Sequence, residues 1–375
     1  MSRKTELFSQ MREMLKKLPN LPLQSALPNS TLSGFRSLGT NPLNLVGTQP
    51  AFVKDLLEQL GVQAKDNARD FPHHEQPDGI NVPEDATQFI DKVFTNKAGT
   101  RTYKLFIPDG YQGQPLPLIV MLHGCTQDSK DFAAGTGMNQ LANEKNCFVA
   151  YPQQTQAHNS SKCWNWFKAV DQQRDQGEPS IIAGITRQII REYRIDTDKV
   201  YVAGLSAGGA MAAILGNLYP DLYAGVGVHS GLPYGAATDL PSALAAMKNG
   251  MTSAAPRVST SFKSIPIIVF HGDKDTTVNP KNGDHIVQQY MRGAKSADNA
   301  SGFSDAIQMD GAVPGGRSYT LTSHRDGSGK PVAEHWSVHG AGHAWAGGTR
   351  MGSYTDPEGP NASHEMLRFF LTDRK

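Results

Sequence analysis

The sequence predicts an α/β fold, with a mostly parallel sheet covered by helices on both faces. Short apolar runs such as residues 116–122 and 265–270 recur along the chain, and segments of helical spacing separate them. Each run is far shorter than the roughly 20 residues that cross a bilayer, so we expect buried strands and no membrane span. A third sign of this class is GLSAG at residues 204–208, which stands between a predicted strand and a predicted helix.

The 375 residues suffice for one large domain with an extension, or for two small domains. Residues 1–92 are predicted to form an N-terminal extension that is helical and loop-rich. Helical spacing at residues 6–18 and 52–60 is separated there by a stretch rich in Pro, Ser, Asn and Gly. This extension is either a lid over the core or a poorly ordered leader. Residues 93–375 are predicted to form the main domain.

Strands and helices alternate along the main domain. Strands are predicted where short apolar or β-branched runs are bounded by turn residues, at residues 104–108, 116–124, 147–152, 199–203, 225–230, 265–272, 318–324 and 332–339. Helices are predicted where apolar residues recur every three or four positions, at residues 131–146, 180–193, 207–218, 283–291 and 361–372. The last two strands are joined by DGSG at residues 326–329, which predicts a hairpin.

The charge balance argues against a partner that is bound mainly by charge. Lys and Arg number 36 and Asp and Glu number 35, and the chain has neither a basic stretch nor an acidic tail. We therefore expect no nucleic-acid partner. Residues 1–22 contain no continuous apolar segment and no small-residue cleavage site. This predicts that no Sec signal peptide is present and, by sequence, a cytoplasmic address.

The chain has three cysteines, Cys125, Cys147 and Cys163. Three is too few for a disulfide framework, and the number is odd. Their simplest interpretation is as buried small apolar residues. A bridge between Cys125 and Cys163 is an alternative that the sequence leaves open.

Ser206 is the predicted nucleophile. It is the central serine of a G-x-S-x-G sequence between a strand and a helix, which is the nucleophile-elbow arrangement of α/β-hydrolases. The flanking glycines leave room for a turn too sharp for a Cβ. The free N–H groups at the start of the helix would face the oxyanion that forms during acyl transfer. The alternative is a tight strand-to-helix turn with an inert serine.

A serine nucleophile needs a general base and a carboxylate that orients the base. In α/β-hydrolases the acid and then the histidine follow the serine along the chain. Asp275, in a loop after an apolar strand, is the predicted acid; its competitor Asp273 directly follows that strand and is better suited to shaping the turn. His343, on a glycine-rich loop after the last strand, is the predicted base. His339 ends that strand and His335 lies within it, so both are more typical of packing residues.

An oxyanion hole needs two backbone donors. The N–H of Ala207, directly after the nucleophile, is one prediction. The N–H of Cys125 is the other, because this residue follows His-Gly in the loop after the strand at residues 116–124. The alternative is a plain turn at residues 123–124.

Aromatic residues are concentrated near these positions. Trp164 and Trp166 lie in CWNWF at residues 163–167, and Trp345 follows the predicted base. With Tyr234, they are predicted to line an apolar site for an acyl or polymer chain. Core packing is the alternative.

These motifs resemble those of the polyhydroxybutyrate depolymerase family of esterases, a branch near the feruloyl and acetylxylan esterases. The matching words run in order from about residue 104 to residue 370: LHGCTQ at 122–127, CWNWF at 163–167, GLSAGG at 204–209, GLPYG at 231–235, HGDKD at 271–275 and GAGHAW at 340–345. The resemblance implies an α/β-hydrolase with Ser206, Asp275 and His343 as its triad and Cys125 in the oxyanion hole. It also implies hydrolysis of hydroxyalkanoate polyesters or short-chain esters, without a cofactor or a metal.

The sequence departs from the family pattern at one place. A cysteine is expected after GLPYG and a second about ten residues later, but Ala236 and Ala246 occupy these positions. The joint absence fits a chain outside an oxidising compartment, whereas the resemblance implies an extracellular address. The alternative activity is that of a feruloyl or acetylxylan esterase on plant polysaccharide, and a peptidase or acyltransferase is disfavoured. From another class of function, the chain could be a non-catalytic binding module on a hydrolase scaffold.

Overall fold

A computed structural model describes residues 88–251, 265–297 and 306–372 of the chain. The helices predicted at residues 6–18 and 52–60 lie outside these residues. The first described strand begins at Phe89 and runs across the predicted domain boundary at residue 93. The division into an extension and a main domain stays a prediction.

Twelve strands are present in the described residues: β1 Phe89–Asn96, β2 Gly99–Phe106, β3 Leu116–Leu122, β4 Phe148–Pro152, β5 Ile195–Leu205, β6 Gly225–His229, β7 Ile267–Gly272, β8 Ile307–Ala312, β9 Ser318–Arg325, β10 Pro331–Val338, β11 Trp345–Ala346 and β12 Thr355–Asp356. Ten of them form one sheet in the order β1-β2-β4-β3-β5-β6-β7-β10-β9-β8. The six central strands, from β4 to β10, pair in parallel, and the strands at both edges pair antiparallel. The short strands β11 and β12 pair separately.

Seven α-helices are present in the described part: α1 Ser129–Thr136, α2 Met138–Glu144, α3 Gly177–Glu192, α4 Ala207–Leu218, α5 Leu240–Asn249, α6 Lys281–Ala297 and α7 Ala362–Leu371. None of these described helices is long and apolar enough to cross a bilayer.

The core lies on both faces of the sheet. Along β5, Val200 and Val202 join one buried apolar cluster, and Tyr201 and Ala203 join the other. This alternation is the two-residue period of a strand that is buried on both sides. Helices α3, α4, α5 and α6 contribute to the first cluster, and α1, α2 and α7 contribute to the second. The predicted α/β fold with helices on both faces is confirmed.

The structure differs from the predicted elements in several places, and β1 is one strand that was not predicted. The helix predicted over residues 131–146 is two helices, because Gly137 adopts a left-handed conformation (φ 61°) between α1 and α2. Strand β8 was not predicted, and five of its six residues are exposed, so it lacks an alternating apolar pattern. Helix α5 was also missed, although Asp239 and Ser242 form a capping box at its start.

The elbow between β5 and α4 requires glycine at its close contacts. A Cβ on Gly208 would lie 2.1 Å from the Leu122 carbonyl oxygen and 2.6 Å from that of His123. Because both atoms are backbone, we expect Gly208→Ala to lower the free energy of unfolding by about 3 kcal/mol, measured by urea denaturation. The control is Gly342→Ala, whose Cβ would meet nothing within 4 Å. Equal stability of the two variants would contradict this account of the elbow.

Candidate active site

The predicted nucleophile occupies a strained turn. Ser206 follows β5 and directly precedes α4, with φ 58° and ψ −119°. A non-glycine residue in this region is costly and is retained where the surrounding structure enforces it. The Ser206 N–H donates to the His229 carbonyl at 2.9 Å, so the turn is attached to the end of β6. A Cβ on Gly204 would lie 2.4 Å from the Gly208 backbone, which explains the glycines on both sides of the serine.

The structure brings the predicted acid and base together. The Nδ1 of His343 and the Oδ2 of Asp275 are 2.7 Å apart, and the Asp275 side chain is fully buried. The other oxygen, Oδ1, accepts the N–H groups of Thr277 at 2.9 Å and Val278 at 2.8 Å. A carboxylate held in this way has one oxygen fixed by the backbone and the other directed at the imidazole.

The surroundings of Asp275 favour its ionised form. Burial opposes ionisation, but the adjacent His343 and hydrogen bonding from His271 outweigh it, and they hold the pKa of Asp275 well below its usual range. The carboxylate is therefore an anion at neutral pH. An anion at this position stabilises the imidazolium that a general base becomes during acyl transfer.

The competing residues form separate pairs. Asp273 accepts the Gly340 N–H at 2.7 Å, and its Oδ2 lies 3.2 Å from the Nδ1 of His339. Its side chain therefore links the end of β7 to the loop that follows β10. His335 lies within β10, with its Nδ1 3.4 Å from Asp284 Oδ1.

His229 links the serine turn to the histidine loop. The His229 carbonyl accepts a hydrogen bond from the Ser206 N–H, and ring atom Nε2 accepts one from the Ala346 N–H at 2.9 Å. Nδ1 therefore carries the proton and donates to Ser230 Oγ at 3.1 Å. Burial lowers the pKa of His229 to about 3, so this tautomer is neutral in the working range. The ring also stacks on Trp345 at 5.2 Å between centroids.

The predicted oxyanion loop passes close to the serine. A Cβ on Gly124 would lie 3.6 Å from the Ser206 Cβ. The Gly124 N–H already donates to Gln127 Oε1 at 3.0 Å. Across residues 88–251, 265–297 and 306–372, by contrast, the N–H groups of Cys125 and Ala207 donate to no protein acceptor. Both amides are therefore available as donors.

A buried polar network supports this loop, and sequence reasoning missed it. The Nε2 of His123 accepts the Gln154 N–H at 3.0 Å, so its Nδ1 donates to the Gly124 carbonyl at 2.7 Å. The Gln154 side chain donates to the Cys163 carbonyl at 3.0 Å and also hydrogen-bonds Glu178. Glu178 is paired with Arg101 at 3.2 Å, and both side chains are almost fully buried. A charged pair this deep carried no local sequence signal, because its members are 77 residues apart.

A disulfide joins Cys125 and Cys163, the alternative that the sequence left open, and Cys147 is a buried free thiol. The bridge closes a sequence separation of 38 residues. In the chain-entropy model such a loop contributes about 4 kcal/mol. It also attaches the residue that would supply an oxyanion donor to the aromatic segment.

We expect reductant to lower the urea midpoint of the wild-type protein, because the bridge restricts the unfolded chain. Cys163→Ala should start from the lower midpoint and should not respond to reductant. Cys147→Ala is the matched control, since it removes a thiol without removing a bridge. A midpoint of Cys163→Ala that still falls with reductant would contradict the pairing.

The three tryptophans predicted to contact substrate lie in the interior. Trp164 is 0 % exposed, Trp166 is 5 % exposed and Trp345 is 1 % exposed. The indole N–H of Trp164 donates to the His123 carbonyl at 3.1 Å. Tyr234 is partly buried, and its hydroxyl donates to the Gln172 carbonyl. Their substrate contacts stay a prediction, and these positions favour the core-packing alternative.

An exposed aromatic that the sequence reasoning did not single out lies beside the oxyanion loop. Tyr354 is 40 % exposed, and its hydroxyl is 3.0 Å from Thr126 Oγ1. The same segment is fixed by Ser353, whose N–H donates to Asp131 Oδ1 at 2.8 Å. Met351 nearby in sequence is 71 % exposed. Apolar surface is therefore exposed in the segment whose Tyr354 contacts Thr126.

Comparison with known proteins gives a family match. The family described as "Esterase PHB depolymerase" matches residues 101–310. Poly(3-hydroxyalkanoate) depolymerase C of Paucimonas lemoignei is 34% identical over 263 residues, which are 68% of this chain and 60% of that protein. Poly(3-hydroxybutyrate) depolymerase of Ralstonia pickettii is 30% identical over 248 residues, 62% of this chain and 48% of that protein.

Acetylxylan esterases are also similar. Acetylxylan esterase A of Talaromyces purpureogenus is 28% identical over 210 residues, 52% of this chain and 54% of that protein. A solved acetyl xylan esterase from Aspergillus awamori superposes with a TM-score of 0.56 at 18% identity, covering 72% of this chain and 93% of that one, and supports the α/β-hydrolase fold. The chain spans between 48% and 60% of the length of the three curated relatives named here. On the extent of the family match, the chain belongs to the PHB depolymerase family of esterases.

Proposed function

We propose that this protein is a serine carboxylic-ester hydrolase in which Ser206 is the nucleophile, His343 the general base and Asp275 the orienting acid. The observation that carries the proposal is the 2.7 Å contact between His343 Nδ1 and the buried Asp275 carboxylate. It supports the assignment because the three residues follow β5, β7 and β10 in the order Ser, Asp, His that α/β-hydrolases use. We assign the activity to the predicted domain of residues 93–375, together with the start of β1.

The proposed reaction transfers an acyl group in two steps. His343 Nε2 takes the Ser206 proton while Oγ bonds to the ester carbonyl carbon, and the carbonyl oxygen becomes an oxyanion. The amides of Cys125 and Ala207 stabilise that oxyanion, each by about 3 kcal/mol. The C–O bond to the leaving group then breaks, and His343 protonates the departing alkoxide. Water repeats the sequence on the acyl-enzyme and releases the acid.

We propose a hydroxyalkanoate polyester or its oligomers as the substrate class. The names of the two relatives with 34% and 30% identity support this choice. The exposed Tyr354 and Met351 also support it, because a polyester chain presents methyl and methylene groups to whatever surface it meets. Acetylated or feruloylated polysaccharide is the second candidate, and the similarity to an acetylxylan esterase favours the acetylated form.

The substrate test compares turnover on four substrates at equal enzyme concentration. An amorphous poly(3-hydroxybutyrate) suspension, acetylated xylan and methyl ferulate are compared, with p-nitrophenyl butyrate as the control that the protein is active. Clearing of the polyester without release of acetate or ferulate is expected. Release of acetate or ferulate with no clearing would overturn the polyester as substrate class. It would leave the assignment as an ester hydrolase unchanged.

A fluorophosphonate probe separates an enzyme from a binding module on the same scaffold. The proposed function predicts covalent labelling at Ser206, located by peptide mass spectrometry, and competition by p-nitrophenyl butyrate. Folded protein that takes no label and hydrolyses none of the four substrates would favour the binding module.

A further inference from the structure

A second buried imidazole lies behind the proposed acid. His271 is the fifth residue of β7, is 1 % exposed, and stands four residues before Asp275. Its Nε2 is 2.9 Å from the Val278 carbonyl oxygen and 3.4 Å from Asp275 Oδ2. A carbonyl oxygen can only accept, so Nε2 carries a proton. That one N–H therefore faces both ends of the loop at residues 275–278.

We infer that His271 is a positioning residue that fixes the Asp275 carboxylate for His343. The inference rests on the proposed function and extends it to a residue that does not touch substrate. Asp275 Oδ1 accepts hydrogen bonds from the N–H groups of Thr277 and Val278. Oδ2 contacts Nδ1 of His343 and faces Nε2 of His271. His271 is thus the second N–H directed at the oxygen that orients the base.

The opposite side of the His271 ring faces helix α6. In the described residues, His271 Nδ1 has no hydrogen-bond partner, and neither does the Nε2 of His335 on the neighbouring strand β10. Both nitrogens face Gly283 of α6, where a Cβ would lie 3.2 Å from His271 Nδ1 and 2.9 Å from His335 Nε2. A buried polar atom left unpaired is costly. The ring therefore leaves Nδ1 without a hydrogen bond in the described residues, while its Nε2 faces Asp275 and Val278.

A merely structural histidine would make a different prediction. If the Val278 contact alone mattered, any residue that restored packing would restore activity. If Oδ2 needs the N–H, only a side chain that places a donor at the position of Nε2 will serve. The amide nitrogen of glutamine can reach that position, whereas that of asparagine is one methylene shorter and corresponds to Nδ1.

The test compares His271→Gln with His271→Asn. His335→Leu serves as the control, because it alters the neighbouring buried imidazole without touching Asp275. We would measure kcat and KM for p-nitrophenyl butyrate, with sites counted by fluorophosphonate titration so that unfolded protein does not enter the rate. We expect kcat of His271→Asn to fall about 10- to 100-fold, the cost found when a residue that orients a metal-binding side chain is replaced. KM should change less than about twofold, since ground-state binding is untouched.

His271→Gln should recover most of that loss, and His335→Leu should stay within about twofold of the wild-type kcat. Equal kcat values for the Gln and Asn variants, or a fall in His335→Leu as large as that in His271→Asn, would overturn the inference. If wild-type protein is labelled at Ser206 and hydrolyses the ester, the proposed function stands and only the role of His271 is overturned. If wild-type protein is neither labelled nor active, the proposed function and the role of His271 are both overturned.

Discussion

Ser206→Ala is expected to reduce kcat for p-nitrophenyl butyrate by about 10⁶-fold, to the background of the assay. The variant loses the oxygen that attacks the ester carbonyl and carries the acyl group in the proposed mechanism. Its fold should survive, because the left-handed turn is enforced by the His229 contact and by the flanking glycines, and not by the hydroxyl. Near-UV circular dichroism and the urea midpoint check the fold, and stopped assays at high enzyme concentration check the rate.

The matched control is Ser328→Ala, in the exposed turn between β9 and β10. It should retain wild-type kcat and should still react with the fluorophosphonate probe. Turnover by Ser206→Ala above about 1% of wild type would exclude Ser206 as the nucleophile, since loss of a nucleophile costs far more than 100-fold.

Asp275→Asn is expected to lower kcat by about 10⁴-fold while KM changes little. Its amide can present an N–H where the carboxylate accepts from His343, which favours the wrong imidazole tautomer. Asp273→Asn is the matched control: Asp273 also faces a histidine, His339, on the same edge of the sheet. That control should stay within a few fold of wild type. If kcat falls more in Asp273→Asn than in Asp275→Asn, Asp273 and not Asp275 is the orienting acid.

The pKa of Asp275 sets the pH range of this comparison. Burial opposes ionisation, but His343 and His271 hold the pKa well below its usual range, so the wild-type carboxylate stays ionised from about pH 5 to pH 8. Protonation of this carboxylate therefore makes no contribution to the kcat difference between wild type and Asp275→Asn across that range. The stability that the carboxylate contributes is present above about pH 4, its pKa when unfolded, and is lost as pH falls through the folded pKa. A urea midpoint that falls more in wild type than in Asp275→Asn between pH 8 and pH 5 would contradict this account.

The parts that sequence predicted well obey short-range rules. The elbow needs glycines around a serine, and the span of α4, Ala207–Leu218, matches the predicted helix. The end of β7 and the loop carrying His343 were predictable because apolar strands followed by Gly and polar residues mark the carboxyl edge of a parallel sheet. Likewise, the hairpin at residues 326–329 has local turn chemistry, and the structure joins β9 to β10 there.

What escaped prediction depends on contacts between distant residues. The Glu178–Arg101 pair and its link through Gln154 to the oxyanion loop join three segments that no periodicity connects. The burial of the tryptophans could not be predicted for the same reason, because an aromatic-rich stretch is equally compatible with a binding surface and with the core. His271 reads as an ordinary strand residue until the fold sets its Nε2 beside both ends of the acid's loop.

The parallel centre of the sheet also constrains how this protein reaches its native state. Strand β3 pairs with β5 across about 80 residues of chain, and β7 pairs with β10 across more than 60. Pairings this remote in sequence make folding slow, because each loop must close before its contacts are gained. Ser206, Asp275 and His343 each follow one of these strands, β5, β7 and β10. The site is therefore complete only after β10 has paired with β7. Recovery of esterase activity after dilution from urea should therefore lag behind recovery of helical circular dichroism, and would report the final strand pairing.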